Sequence, residues 1–143
     1  MRPVFLFALL LAAAMGTASA QAISPKQLFE TGASAYIKGG AASAIEAWIK
    51  GSALEGNAQA TSQANSLRQI EDFYGKPEGY EVVLESKVSE RSAVVLAIIN
   101  YYKGPLFFRL SAYRLANGNW ITAEFKINTE VNLLFPDSAV YRR

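Results

Sequence analysis

The chain has 143 residues, 51% of them hydrophobic, with 14 Lys and Arg against 12 Asp and Glu and neither histidine nor cysteine. Without cysteine there can be no disulfide, thiolate metal site or lipid-modified cysteine. Without histidine the usual general base and the commonest zinc ligand are also missing. The near-neutral balance offers no concentrated basic footprint, and the densest basic cluster is "YRR" at the end, so no nucleic-acid partner is expected.

Residues 1–20 have the pattern of an export signal: Arg2, then the apolar run "VFLFALLLAAA", then the small-residue site Ala18-Ser19-Ala20. Cleavage there would start the mature chain at Gln21 and leave thirteen basic residues (14 less Arg2) against 12 acidic. The alternative, a short buried helix, finds no amphipathic pattern to support it. The run is too short for a stable membrane span, and no later segment reaches about eighteen uninterrupted apolar residues, so no membrane insertion is expected after cleavage. Export without cysteine and without an Asn-x-Ser/Thr sequon favours a Gram-negative periplasm, with secretion as the second location. About 120 residues are enough to be held by a hydrophobic core alone.

The remainder, 21–143, is expected to form one α+β domain, helical over 24–75 and sheet over 79–130, with the helices on one face of the sheet. In "SPKQ", Ser24 is a natural N-cap, Pro25 suits the first helical position and Gln27 completes a capping box. The first helix carries Phe29, Ala33, Tyr36 and Ile37 as its apolar stripe and stops at Gly39-Gly40. A second places Ala44, Ile45, Trp48 and Ile49 on one face and fades at "KGSALEGN". A third starts at Asn57, aligns Ala60, Ala64, Leu67, Ile70 and Tyr74, and ends at Gly75 and Pro77. The first two helices resemble one unit of a tetratricopeptide or Sel1 array, but such arrays need about three units.

Four strands follow: "GYEVVLESKVS", "AVVLAIINYY", "LFFRLSAYRLA" and "NWITAEFKIN". Two-residue turns at Glu90-Arg91, Lys103-Gly104 and Asn117-Gly118 would join them as a meander, Asn-Gly being the strongest hairpin signal. Those turns pair Leu110 with Phe125, Phe108 with Ile127 and Ala112 with Ala123. They also pair Ala97 with Leu110 and Leu84, and Ile99 with Phe108 and Val82. One face, closed by Tyr80 and Tyr101, is then almost wholly apolar and should meet the helices, because a one-residue slip exchanges faces.

The other face collects Val83, Val94, Leu96, Ile98, Phe107, Tyr113, Leu115 and Trp120, interspersed with Glu85, Arg109, Ser111, Thr122, Glu124 and Lys126. An open sheet face should alternate to polar, so this apolar patch rimmed by charge suggests an association surface. Val94, Leu96, Ile98, Phe107, Tyr113 and Trp120 are the interface candidates, with a homodimer as the expected assembly. A bent sheet, or the tail "VNLLFPDSAVY" folded back, would cover the same patch.

Catalytic groups are few. Glu85 and Glu124 fall in one row but about 14 Å apart at roughly 4.8 Å per strand, farther than the about 5–9.5 Å of a glycosidase pair. Arg109, the lone charge in an apolar strand, faces either an ion pair with Glu124 on the diagonal or the carboxylate of a partner or of a small acidic ligand. Tyr80, Tyr101 and Tyr102 would line any cavity the helices leave, or pack as core aromatics. Trp48 and Trp120 are expected as core and edge packing.

Three helices before a long-stranded meander, with "GYEVV", "GPLFFRLSAYRL" and "GNWITAEFKIN", resemble the α+β cone of the nuclear-transport-factor-two-like (cystatin-like) superfamily over about residues 24–135, and small exported bacterial proteins associated with it. That resemblance implies anything from a pocket enzyme to a dimerisation module, so it carries no function. The Asp-His pair often used by its enzymes cannot be carried over to a chain without histidine. The expectation is therefore an exported, non-enzymatic domain that self-associates through its outer sheet face, with no metal or cofactor. The alternative is a periplasmic binding protein for a small apolar or carboxylate ligand held between helices and sheet, with Tyr80, Tyr101, Tyr102 and Arg109 as ligand-binding candidates.

Overall fold

The computed structural model describes residues 24–141; the expected signal over 1–20 lies outside the described residues. Helices α1 (Pro25–Gly39), α2 (Ala41–Ile49) and α3 (Ala58–Tyr74) precede strands β1 (Pro77–Ser89), β2 (Ser92–Tyr101), β3 (Gly104–Arg114) and β4 (Trp120–Asn128). The strands form one antiparallel sheet in the order β1-β2-β3-β4. A 3-10 turn (Val131–Leu133) and the one-turn helix α4 (Asp137–Val140) make a short tail. The fold is α+β, as the order of patterns predicts.

Local chemistry sets the helix ends. The Ser24 hydroxyl accepts a hydrogen bond from the Gln27 amide at 3.1 Å, and Asn57 Oδ1 accepts from Gln59 at 2.8 Å. Gly40 and Gly75 end α1 and α3 at φ of 89° and 85°, a left-handed region that disfavours side chains. Helix α1 buries Leu28, Phe29, Gly32, Ala33 and Tyr36; Leu28 takes the place expected for Ile37, which is 40% exposed. The stripes expected for α2 and α3 lie in or against the core.

Trp48 sits at the centre of that core with no exposed surface. Its ring centroid is 4.6 Å from Phe108 and 5.9 Å from Phe125, and it stacks on Phe29 at 6.2 Å. Nε1 donates to the Phe29 carbonyl at 3.0 Å, and the Trp48 carbonyl accepts from the Thr122 hydroxyl at 2.6 Å. One residue thus ties α1, α2 and β4 together. Helices α1 and α2 pack on the sheet through these rings, not as one unit of a repeat array.

The register differs from the expected one in an instructive way. The β2–β3 turn is Tyr102-Lys103, one residue earlier than predicted, so Ala97 pairs with Phe108 and Ile99 with Leu106. Moving a turn by one residue shifts each pair by two and keeps the faces. The reason is local: the Tyr74 ring lies on Gly104, where no Cβ would fit, and the Lys103 amide donates to the Tyr74 carbonyl at 2.8 Å. Between β3 and β4 the connection is 115–119 rather than Asn117-Gly118 alone. There the Leu115 amide donates to the Asn119 carbonyl at 2.8 Å and closes the loop, and β3 ends at Arg114.

Bulges do exchange faces. In β1 extra residues at Val83 and Val88 bracket a stretch in which Leu84 pairs with Leu96 and Glu85 with Val95, so Leu84 turns outward and Glu85 inward, the reverse of expectation. In β4 an extra residue at Ala123 pairs Ala112 with Thr122. Thr122 is therefore inward and 1% exposed, and Trp120 packs on the helix-side core.

A Cβ added at Gly32 would overlap the Trp48 indole, which has nowhere to move. Gly32→Ala should lower unfolding stability by about 1–3 kcal/mol through overpacking, although the same change on an open helix face would add about 1 kcal/mol. Chemical denaturation of the two proteins measures the difference; an unchanged or raised midpoint would contradict the seat described.

Candidate functional site

The space between helices α1 and α2 and the sheet is filled. Tyr101 is 4% exposed and its hydroxyl donates to the Tyr36 hydroxyl at 2.9 Å, which donates to the Leu67 carbonyl at 3.1 Å. Tyr80 stands edge-on to Phe29 at 6.0 Å as a half-buried wall of the same core. Tyr102 is in the β2–β3 turn, 69% exposed, beside Gly75, and its amide donates to the Lys76 carbonyl at 3.1 Å. The three tyrosines proposed as ligand contacts therefore do not share a cavity. Tyr80 and Tyr101 are structural, and Tyr102 braces the turn against the end of α3.

The carboxylate pair is also separated. Glu85 lies toward the helices, where Oε2 accepts the Lys26 amide at 2.7 Å and caps the N-terminus of α1, an end that favours negative charge. Glu124 remains on the outer side and pairs with Lys126 at 3.1 Å. Among the described residues no group of three or more Asp or Glu could hold a metal ion, and no helix is long and apolar enough to cross a membrane.

On the outer face the tail returns across the sheet. Leu134 and Phe135 are 8% and 5% exposed and cover Leu96 at 3%, with Val83, Val94, Ile98, Phe107 and Val131 packed around them. The Phe107 and Phe135 rings meet edge to face at 5.5 Å. Of the interface candidates, Leu96 is buried under the tail, while Val94, Ile98 and Phe107 are half-covered by it. Tyr113 stays at the hairpin end, 36% exposed, with the Arg91 guanidinium 4.8 Å above its ring. Trp120 is on the opposite face.

The tail leaves part of the face open. Beside Leu133 to Pro136 runs a groove of about 560 Å³, floored by Val94, Leu96, Arg109 and Ser111 and walled by Leu84, Ser86 and Val88. Small-molecule sites commonly span about 300–1,000 Å³. Its rim is apolar and exposed: Leu84 at 37%, Val88 at 68% and Leu133 at 62%. The outward turn of Leu84 at the β1 bulge builds this wall, and nothing in the alternation of the sequence announces it.

Arg109 is the one charged residue lining the groove, and among the described residues nothing pairs with it. Its expected partner Glu124 is held by Lys126 two positions along the same strand. Two further clefts, of about 270 and 470 Å³, run between α3 and the β4 edge, lined by a mixture of apolar side chains such as Phe125, Ile70 and Phe73 and polar ones such as Gln63, Ser66 and Asn128.

Comparison with known proteins adds no relative: no family model, curated protein or solved structure matches the chain.

The buried tyrosine pair predicts an alkaline weakness. Burial, reinforced by nearby Glu71 and partly offset by the bond from Tyr101, raises the Tyr36 phenol from 10.0 to about 12. Burial and donation to Tyr36 raise Tyr101 as well. Both phenols ionise first in the unfolded chain, so the stability they contribute is complete below about pH 10 and is lost as pH rises through the folded values. The melting temperature of the parent should fall more steeply above pH 10 than that of Tyr36→Phe/Tyr101→Phe; parallel curves would exclude the pair as the cause.

Proposed function

We propose that this is an exported, non-enzymatic recognition domain that works through the outer face of its sheet. The observation that carries the reading is the groove left between the tail and the β1–β2 hairpin, with apolar floor and rim. The favoured occupant is a small apolar or carboxylate ligand, seated there rather than in the smaller clefts between α3 and the β4 edge. Export rests on the pattern of residues 1–20, and the absence of catalysis on the lack of histidine, cysteine and any placed carboxylate pair. Helices before a four-stranded meander are also the order expected of the nuclear-transport-factor-two-like cone, in which we place the chain as a distant member.

Self-association through the same face is the second reading. Exposed Leu84, Val88 and Leu133 together make an apolar rim that a second copy could bury. Leu96 and Ile98 are poor test positions for either reading, because charge there would dislodge the tail.

Leu84→Glu and Leu133→Glu change the exposed rim and should leave folding intact. A neutral fluorescent probe, N-phenyl-1-naphthylamine, should bind the parent and lose at least about tenfold in affinity in both variants. Equal probe binding by all three proteins would sink the groove as the site. Light scattering on the same samples tests the second reading: a parent dimer that becomes monomeric in both variants supports it, and a monomeric parent removes it.

A further inference from the structure

Resting on the groove as the binding site, we infer that its ligand class is a single-chain amphiphile carrying a carboxylate. Arg109 lies half-buried among Leu84, Val94, Leu96 and Leu134, and no Asp or Glu lines the groove with it. An unpaired guanidinium against apolar walls complements a ligand with one negative head and one hydrocarbon arm. The guanidinium offers its planar fork to both carboxylate oxygens, and the Ser111 hydroxyl, two residues along the same face of β3, can donate to one of them. From Arg109 the apolar strip continues past Val94 toward Leu84 and Val88 on one side and Leu133 on the other, which gives the hydrocarbon its course. A wholly apolar ligand would leave the cation without a partner. A cationic ligand would meet repulsion, and a bilayer surface would not enter a groove of about 560 Å³.

Displacement of bound N-phenyl-1-naphthylamine from the full mature chain, below micelle-forming concentrations, tests the inference with three probes of equal chain length: sodium decanoate, decanol and decyltrimethylammonium. Decanoate should displace the dye at least about tenfold more effectively than decanol, and decyltrimethylammonium least of all. Arg109→Gln should erase the advantage of decanoate over decanol, and Arg109→Glu should shift preference to the cation. Unchanged circular dichroism and melting temperature would show that each variant is folded. Ser111→Ala, which leaves the charge in place, gives a second and smaller reduction confined to decanoate. Equal displacement by decanoate and decanol in the parent, or a decanoate preference that survives Arg109→Gln, overturns the carboxylate class while leaving an apolar groove in place. Failure of the dye and all three amphiphiles to bind overturns the groove itself.

Discussion

The indole of Trp48 resting on the bare backbone of Gly32 sets the distance between α1 and α2, and the rest of the core follows from it. With the helices that close, the ring reaches both Phe108 and Phe125 on the sheet. Its N–H, which would be costly to bury unpaired, reaches the Phe29 carbonyl. The Trp48 carbonyl, near the end of α2, lacks the full set of helical donors and takes one from Thr122 instead. That bond requires a threonine on the inward face of β4. The bulge at Ala123 supplies it and also carries Trp120 to the helix side.

The bulged stretch of β1 links the two faces of the sheet. Extra residues at Val83 and Val88 send Glu85 inward, where it caps α1, and Leu84 and Ser86 outward, where they wall the groove. A continuous strand would leave Glu85 on the outer face, and with it the acid that Arg109 lacks. The irregularity thus removes a carboxylate from the groove and spends it on a helix end, where the dipole favours negative charge. It also interrupts an edge strand that would otherwise be long and regular, which discourages pairing with other chains along that edge.

Most of the helix-side face was legible because the turns fix which residues of β2 and β3 share a face, even though β2 is apolar on both sides. A misplaced turn moved their pairing by two without changing sides. Caps at Ser24 and Asn57 and the stripe through Trp48 follow equally from residue type and spacing. The bulges were not legible for a physical reason. Val82-Val83-Leu84 is apolar at every position, so a one-residue insertion there costs nothing in hydrophobic pattern. Thr122 and Ala123 are similarly small, and only the tertiary bond to Trp48 decides which points inward. The groove inherits this opacity, since its wall depends on the first bulge. The lack of a partner for Arg109 depends on Lys126 reaching Glu124 first. The tail over the outer face was one of two open alternatives, and "LLF" in 133–135 supplies the pair that settles on Leu96.

A ligand in the groove would couple energetically to the tail. The tail is held to the sheet mainly by Leu134 and Phe135, with Val131, Ala139 and Val140 alongside, and α4 has only four residues. A segment with so few buried apolar contacts belongs to the low-stability end of a folded protein and opens before the core does. Leu133 to Pro136 nevertheless form one wall of the groove. A ligand lying against that wall would favour the closed tail by mass action, and by reciprocity whatever strengthens the tail's hold on Leu96 strengthens ligand binding. On the proposed reading, recognition on this face would leave the Trp48 core unaltered and would require only that the short tail and Arg109, which has no partner among the described residues, be completed by the same molecule.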